Sequence, residues 1–126
     1  MIVVLATGVF DAFHPGHLAH LKAAAKFGDQ LIVAITKDEY VNKGPNRPIY
    51  NQWDRRAMVK ALYCVDWAFL VKDSFEALKT IEPDIFAKGI EYKKNLIERD
   101  YCLKHGIKMV FISPRPAIRT SKLWPR

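Results

Sequence analysis

Cysteines and long apolar runs are both scarce in this chain, and each scarcity excludes a class of protein. Only two cysteines occur among 126 residues, and the wide separation of Cys64 and Cys102 predicts two buried, reduced thiols rather than a disulfide or a metal pair. No apolar stretch approaches the ~20 residues that a membrane-spanning helix needs. The apolar start, residues 1–6, lacks the basic segment and the cleavage site of a signal peptide. We therefore expect a cytoplasmic protein with no membrane contact.

The chain also lacks a dense block of basic residues, although its formal net charge is +7. A positive net charge implies anionic partners but does not show which kind of anion they are. The basic residues are spread over residues 43–56, 88–94 and 115–126, which favours a phosphate pocket assembled from several loops. Neither a basic face nor a row of stacking aromatic residues is evident, so we do not expect nucleic acid to be a partner.

What the sequence does contain is a regular alternation of strand and helix patterns over a length typical of one domain, residues 1–126. Apolar runs predict five buried strands, at residues 2–7, 31–35, 67–71, 84–87 and 108–112. The first helical pattern ends in a stop at Gly28, Asn51 and Asp73 are predicted N-caps, and residues 95–105 are a last helix. The alternation predicts an α/β fold: an open, five-stranded parallel sheet with helices on both faces, Rossmann-like.

In such sheets, ligands bind beyond the carboxyl ends of the strands, where the strand order reverses. The loop after the first predicted strand contains His14-Pro15-Gly16-His17. Pro15 suits the first turn of a helix, and Gly16 lets a ligand approach the backbone closely. His17 then lies where a helix N-terminus favours bound anions. We expect the two imidazoles to donate hydrogen bonds into one phosphate site.

A metal centre built from His14, His17 and His20 is an alternative, since zinc accepts imidazole ligands. The proline–glycine turn opposes the convergence of three ring nitrogens. His20 lies in mid-helix, where we expect it to pack at the surface. The phosphate interpretation of the first two histidines is therefore preferred.

The segment that joins Gly8-Val9-Phe10-Asp11 to His14-Pro15-Gly16-His17 resembles the HxGH signature of the cytidylyltransferase-like nucleotidyltransferases. Class I aminoacyl-tRNA synthetases share a related motif, but this chain is too short to house a synthetase with its tRNA-binding parts. The resemblance covers nearly the whole chain. It implies the Rossmann-like nucleotidyltransferase fold and a homodimer.

Three further segments resemble the heptose-1-phosphate adenylyltransferase branch of that family. Residues 43–48 are similar to its KGxxRP loop, and residues 83–92 are similar to its PD…KGxDY stretch, with Glu91 in place of Asp. Arg55, followed by residues 65–67, resembles its arginine helix and VDW segment. Glycerol-3-phosphate cytidylyltransferases share the first motif and the Arg55 region but are less similar around Lys43 and Lys88.

One segment departs from the family pattern. The family ends its sheet with a loop like GISTT, which helps to hold the nucleotide, and the corresponding residues here are Ala117-Ile118-Arg119-Thr120-Ser121. Two hydroxyls are kept, but Arg119 either adds a phosphate contact or blocks the usual nucleotide pose. The choice of nucleotide therefore stays open.

The resemblance implies in-line attack on the α-phosphorus of a nucleoside triphosphate, with pyrophosphate leaving. The implied catalytic residues are His14, His17, Lys43 and Arg55. The implied nucleotide-binding residues are Thr7, Gly8, Val9, Phe10, Asp11, Gly16, Lys88, Gly89, Arg119, Thr120 and Ser121. Asp38 and Glu91 are candidates for binding the acceptor, although Asp38 could merely start a helical turn. Mg²⁺ is expected with the triphosphate, and Asp11 is its candidate ligand unless that carboxylate orients a histidine or caps the helix.

Three functions remain open at this point. ATP with a phosphorylated sugar such as D-glycero-D-manno-heptose 1-phosphate is the leading substrate pair, because of the Lys43 and Lys88 segments. CTP with glycerol 3-phosphate or another alcohol phosphate is the alternative pair. The third possibility is a nucleotide-binding regulatory pseudoenzyme, which the altered Arg119 loop motivates.

Overall fold

The structure, a computed structural model, describes residues 1–11, 15–42, 44–90 and 97–113. The strands and helices along these residues alternate, as the sequence predicted. They are β1 (Val3–Gly8), α1 (Pro15–Ala25), β2 (Gln30–Thr36), α2 (Gln52–Lys60), β3 (Trp67–Val71), α3 (Ser74–Ile81), β4 (Ile85–Gly89), α4 (Arg99–Lys104) and β5 (Lys108–Ile112). One 3-10 turn, Asp38–Tyr40, follows β2.

The five strands form one parallel sheet in the order β3-β2-β1-β4-β5. The chain adds strands outward from β1 in one direction and then returns to add β4 and β5 on the other side. The strand order therefore reverses between β1 and β4, which is the position where sheets of this type bind ligands. The predicted fold class is confirmed.

Two hydrophobic cores, one on each face of the sheet, hold the helices in place. Val4 and Ala6 of β1 belong to the core that contains Leu21 of α1 and Val59 of α2. The intervening Leu5 belongs to the opposite core. There it joins Phe86 of β4 and buried side chains from two helices, Ala77 and Leu78 of α3 and Cys102 of α4. Because strand side chains alternate between faces, α1 and α2 cover one face, and α3 and α4 cover the other.

Two helices begin where their N-caps were predicted. The Asn51 side chain accepts a hydrogen bond from the Asp54 amide at 2.9 Å, and the Asp73 side chain accepts one from the Glu76 amide at 2.9 Å. Each bond satisfies an amide that the first helical turn leaves without a partner. Both predictions are confirmed.

The prediction that Gly28 stops the first helix was wrong, because α1 ends at Ala25. Gly28 serves a different purpose: a Cβ atom there would lie 2.7 Å from the carbonyl oxygen of Ile2. The segment before β2 passes so close to the start of β1 that a side chain has no room. The glycine signal was therefore real, but its cause is close backbone approach rather than helix capping.

At the amino end of the sheet, three aspartates that precede strands each accept a hydrogen bond from a backbone amide at the start of the adjacent strand. Asp29 accepts a hydrogen bond from the Ile2 amide at 2.7 Å, Asp66 from the Leu31 amide at 2.8 Å and Asp84 from the Val3 amide at 2.8 Å. Each carboxylate pairs an amide at a strand start.

Neither thiol forms a disulfide: Cys102 is buried and Cys64 is half-buried, and both are free. Burial raises the pKa of each thiol, so both remain protonated near neutral pH. The prediction of free thiols is confirmed, but that of burial is confirmed for Cys102 and wrong for Cys64. In the part of the chain that the structure describes, no helix has both the length and the apolar character needed to cross a membrane.

Candidate active site

In the described part of the chain, the buried charged side chains lie at the carboxyl end of the sheet. Among the described residues, Asp11, Arg55 and Glu98 are the buried charged residues. All three lie in or against segments that follow β1, β2 or β4. A buried charge is costly unless hydrogen bonds and opposite charges compensate for it, so the partners of each residue indicate its role.

The loop after β1 is shaped by Phe10. Its backbone adopts a left-handed conformation, with φ of 54°, which is uncommon for a residue with a side chain. The buried ring folds back over Gly8, where a Cβ atom would lie only 2.9 Å from the ring. On another side the ring meets His17 edge-on, with centroids 5.5 Å apart. The Phe10 ring, packed on Gly8, thus fixes the half-buried His17 in the first turn of α1.

The Asp11 carboxylate holds the segment that leads into α2. It accepts hydrogen bonds from the Ile49 amide at 2.9 Å and the Tyr50 amide at 3.1 Å. It also pairs with the Arg47 guanidinium at 3.1 Å. Burial alone would raise the pKa of Asp11, but these donors outweigh burial, and the pKa lies below its usual value. Asp11 is therefore an ionised clamp between the loops before α1 and before α2.

This arrangement bears on the predicted magnesium ligand. Each oxygen of Asp11 already accepts two hydrogen bonds, and a metal ion would have to displace some of these donors. Among the described residues, no cluster of three His, Cys, Asp or Glu side chains is suited to a metal. The surroundings of Asp11 therefore do not suit a residue that binds magnesium directly. A clamp between two loops was not among the roles expected of Asp11 from the sequence.

Arg55 connects the loops around the site from a position with no exposed surface. Its Nη1 donates to the carbonyl oxygens of Val9 and Thr36, each at 2.8 Å, and its Nε donates to the Tyr50 carbonyl at 3.0 Å. Its Nη2 pairs with Asp38 at 2.6 Å. The predicted catalytic arginine thus lies at the site, but it contacts the chain's own loops, and its full burial leaves no surface for a phosphate.

Asp38, a predicted acceptor-binding residue, is fixed by two neighbours. Its carboxylate pairs with Arg55, and its amide donates to the Gln52 side chain at 3.0 Å. The side chain remains 39% exposed, so a ligand can still reach its second oxygen. Asp38 therefore joins the site and is positioned by the start of α2.

Lys88, near the end of β4, pairs with Glu98, which immediately precedes α4. The lysine side chain is largely buried, and Glu98 is 1% exposed. Sequence reasoning missed Glu98, since a single glutamate at the start of a helical pattern carries no signal of its own. Gly89, the next residue, is buried at the end of β4 beside Ile112 of β5.

The remaining predicted residues divide into two groups. Thr7 and Val9 are half-buried and Gly16 is exposed in the first turn of α1, so these three surround the same end of the sheet. Others lie outside the described residues: His14, Lys43, Glu91, Arg119, Thr120 and Ser121. Their roles stay predictions.

The described geometry favours binding and positioning over acid–base chemistry. The start of α1 presents His17 beside a loop whose carbonyl groups are fixed by Arg55. Among the described residues, the buried carboxylates here are Asp11 and Glu98, and each is engaged by cations or amides. Such a site suits a reaction whose nucleophile is already ionised.

The sequence profile described as cytidylyltransferase-like matches residues 5–122 of the chain. The chain belongs to the cytidylyltransferase-like family. It is a nucleotidyltransferase, as the sequence motifs indicated. The predictions of family, fold and enzyme class are therefore confirmed.

Relatives of this nucleotidyltransferase carry more than one name. The FAD synthase of Aciduliprofundum boonei is 40% identical over 112 residues, 86% of this chain and 75% of that protein. The bifunctional protein HldE of Gluconobacter oxydans is 36% identical over 126 residues, but this chain spans only 26% of its length. The crystal structure of a lipopolysaccharide core biosynthesis protein from Thermoplasma volcanium superposes with a TM-score of 0.78 at 34% identity, covering 91% of this chain and 98% of that one.

Proposed function

We propose that this nucleotidyltransferase transfers AMP from ATP to the phosphate group of a phosphorylated small molecule and releases pyrophosphate. The observation that carries the proposal is the frame made by Arg55, which fixes the loops after β1 and β2 around the first turn of α1. That turn combines a helix N-terminus with His17, and both favour an anion. The basic balance of the chain supports the same substrate class.

The chemistry needs little from the protein beyond geometry. A substrate phosphate is ionised at neutral pH and attacks the α-phosphorus directly, so no strong general base is required. The oxygen–phosphorus bond to pyrophosphate breaks as the new bond forms, and charge builds on the surrounding oxygens. We assign the stabilisation of that charge to the imidazoles of His14 and His17 and to Lys43. Arg55 is then a positioning residue rather than a group that touches the phosphates.

Magnesium belongs to the proposal as a companion of the triphosphate. Because the Asp11 oxygens are occupied by amides and a guanidinium, we expect the phosphates and water to supply its ligands. The ion's contribution would be to neutralise charge on the triphosphate. The clamp by Asp11 would hold the segment before α2, whether or not the ion is bound.

Two acceptors are supported by different observations. A sugar phosphate such as D-glycero-D-manno-heptose 1-phosphate is supported by the KGxxRP-like loop and the KGxDY-like stretch. A flavin phosphate is supported by the 40% identity to a FAD synthase, of which the chain covers three quarters, since joining AMP to flavin mononucleotide forms FAD. Neither the Asp38 contacts nor the Lys88–Glu98 pair distinguishes the two acceptors.

A pyrophosphate-release screen tests the proposal. ATP, CTP, GTP and UTP would each be combined with heptose 1-phosphate, flavin mononucleotide and glycerol 3-phosphate in the presence of Mg²⁺. We expect release only with ATP and with one of the first two acceptors. Turnover with CTP and glycerol 3-phosphate would replace the proposal by the cytidylyltransferase alternative. Nucleotide binding without turnover on any acceptor would favour a regulatory pseudoenzyme.

Two wider expectations accompany the proposed function. The family resemblance suggests a homodimer, and sedimentation velocity on the purified protein would measure its mass in solution. A cytoplasmic location also remains part of the proposal, as the sequence led us to expect. Neither expectation affects the screen described above.

A further inference from the structure

The Lys88–Glu98 pair is placed beside the point where the strand order reverses. Ala87 of β4 is level with Ala6 of β1, so Lys88 is level with Thr7 on the adjacent strand. Leu5 and Phe86 share the core on the α3 and α4 face. Since alternate strand residues point to the same face, Thr7 and Lys88 continue that row to the carboxyl end of the sheet.

Glu98 cancels the charge that Lys88 would otherwise bring to the site. Its Oε1 accepts a hydrogen bond from the Lys88 ammonium, and the carboxylate is 1% exposed. Two opposite charges in contact, screened little by solvent, act on a distant anion almost as a neutral unit. The pair therefore adds hydrogen-bonding groups to this corner without adding net positive charge.

The second oxygen of Glu98 indicates that the pair is not optimised for stability alone. Oε2 is buried and has no hydrogen-bond partner among the described residues. A buried acceptor without a donor costs free energy, and apolar side chains of similar volume often replace a buried ion pair without loss of stability. A buried polar group of this kind calls for a ligand or another donor to complete its hydrogen bonds.

We propose that Glu98 is a positioning residue and that, by cancelling the charge of Lys88, it makes this lysine suited to bind uncharged groups of a substrate. The pair would bind a hydroxyl or a ring nitrogen of a substrate rather than a phosphate. The inference deepens the proposed function and rests on it for the identity of the substrates. The uncharged group belongs either to the nucleoside of the triphosphate or to the non-phosphate part of the acceptor.

Binding measurements with two probes separate this role from phosphate binding. Lys88→Met would be titrated with ATP and with inorganic tripolyphosphate, which has the phosphates but no nucleoside. We expect the Kd of ATP to rise about tenfold and that of tripolyphosphate to rise only two- to fivefold, because the substitution leaves the Glu98 carboxylate without its counter-charge. An equal, tenfold rise for both probes would make Lys88 a phosphate ligand and overturn the proposal.

Glu98→Gln tests the charge cancellation directly, because it keeps the shape of the side chain and exposes the lysine charge. We expect weaker ATP binding, as in Lys88→Met, but tighter tripolyphosphate binding, by about two- to fivefold. Unchanged or weaker tripolyphosphate binding would contradict the cancellation. Asp100→Asn and Lys104→Met, at exposed positions of α4, are matched controls that should leave the Kd of both probes unchanged.

Titration of the same variants with the acceptor identified by the pyrophosphate-release screen decides which substrate the pair contacts. If the Kd of ATP is unchanged in both variants but acceptor affinity falls about tenfold, the pair reads the acceptor. If neither affinity changes, the pair is structural and the proposal fails. The double variant Lys88→Met/Glu98→Leu removes both charges and keeps the test available if a single variant does not fold. Because the probes measure binding, the result is independent of whether the wild type shows turnover.

Discussion

Carboxylates bond backbone amides at both ends of the sheet, but in different surroundings. At the amino end, Asp29, Asp66 and Asp84 are exposed, and each pairs an amide at the start of a neighbouring strand. At the carboxyl end, Asp11 is buried and pairs two amides of a loop together with a guanidinium. Arg55, also buried, bonds carbonyl groups of three separate segments.

Hydrogen bonds of the same kind therefore have different structural roles at the two ends of the sheet. The exposed aspartates finish the edge of a sheet whose position the hydrophobic cores already determine. The buried groups hold loops that the cores fix only in part, through Phe10, so their loss removes loop geometry as well as a bond. We expect substitutions at the carboxyl end to cost more stability and to affect activity, and those at the amino end to do neither to the same extent.

Arg55→Met should have the largest effect on stability. It leaves the carbonyl oxygens of Val9, Thr36 and Tyr50 without their donor, and each buried acceptor that loses its partner costs about 1–3 kcal/mol. Urea unfolding would measure this loss. Turnover should fall too, since two site loops lose their support.

The neighbouring Arg56→Met is the matched control for that prediction. Arg56 donates to the Ala68 carbonyl at 2.8 Å and lies over the Trp67 ring, but it is only half-buried. We expect a loss of about 1 kcal/mol and normal turnover. Equal losses for both arginines would remove the distinction between buried and peripheral guanidinium groups.

His17→Ala should affect activity more than folding. A donor to a developing oxyanion is worth about 2.7–4 kcal/mol, which corresponds to a 100- to 1000-fold lower kcat. Pyrophosphate release would measure the change, and circular dichroism would check the fold. His14→Ala is expected to behave alike, and His20→Ala is the control. Near-wild-type turnover of His17→Ala would contradict the proposed mechanism.

Asp11→Asn should destabilise the protein at neutral pH, since the ionised carboxylate gains from its hydrogen bonds to two amides and Arg47. Hydrogen bonds to charged groups contribute about 1.5–3 kcal/mol. The pKa of Asp11 is lowered in the folded protein, so its stabilisation is fully present above the unfolded pKa of about 3.9 and is lost as the pH falls further through the folded pKa.

Unfolding curves at several pH values would test this dependence. The difference in stability between wild type and Asp11→Asn should shrink as the pH falls below that of the unfolded carboxyl group. A difference that stays constant down to the lowest accessible pH would show that the charge of Asp11 does not contribute.

Asp84→Asn should have the smallest effect. The bond to the Val3 amide is exposed, and water replaces it readily, so we expect a loss of about 0.5–1 kcal/mol. Turnover should be unchanged. A loss as large as that of Asp11→Asn would mean that the two ends of the sheet are equivalent, which would break the comparison.

The sequence was informative where local patterns determine structure. Continuous apolar runs predicted all five strands, and polar residues at helix starts predicted the caps at Asn51 and Asp73. These features depend on residues a few positions apart. Gly28 was recognised as special, but its cause is a contact with Ile2, which no local pattern reveals.

The candidate site was predictable in its location and less so in its roles. The resemblance indicated Arg55, and Asp38 was a candidate for binding the acceptor, but nothing in the sequence indicated that the two side chains pair with each other. Glu98 was missed because only the fold brings it to Lys88. A charged residue in a sequence does not reveal whether it will face a ligand or be buried against the backbone, since that depends on partners far away in the chain.

The contacts of Arg55 have a consequence for how binding and folding are linked. The loops after β1 and β2 and the start of α2 share this one side chain, so a ligand that orders the loops also stabilises the docking of the helix. Ligand affinity and the free energy of unfolding are thus linked on this side of the molecule. A substitution chosen only to loosen the loops will also raise the concentration of nucleotide needed to protect the protein from unfolding.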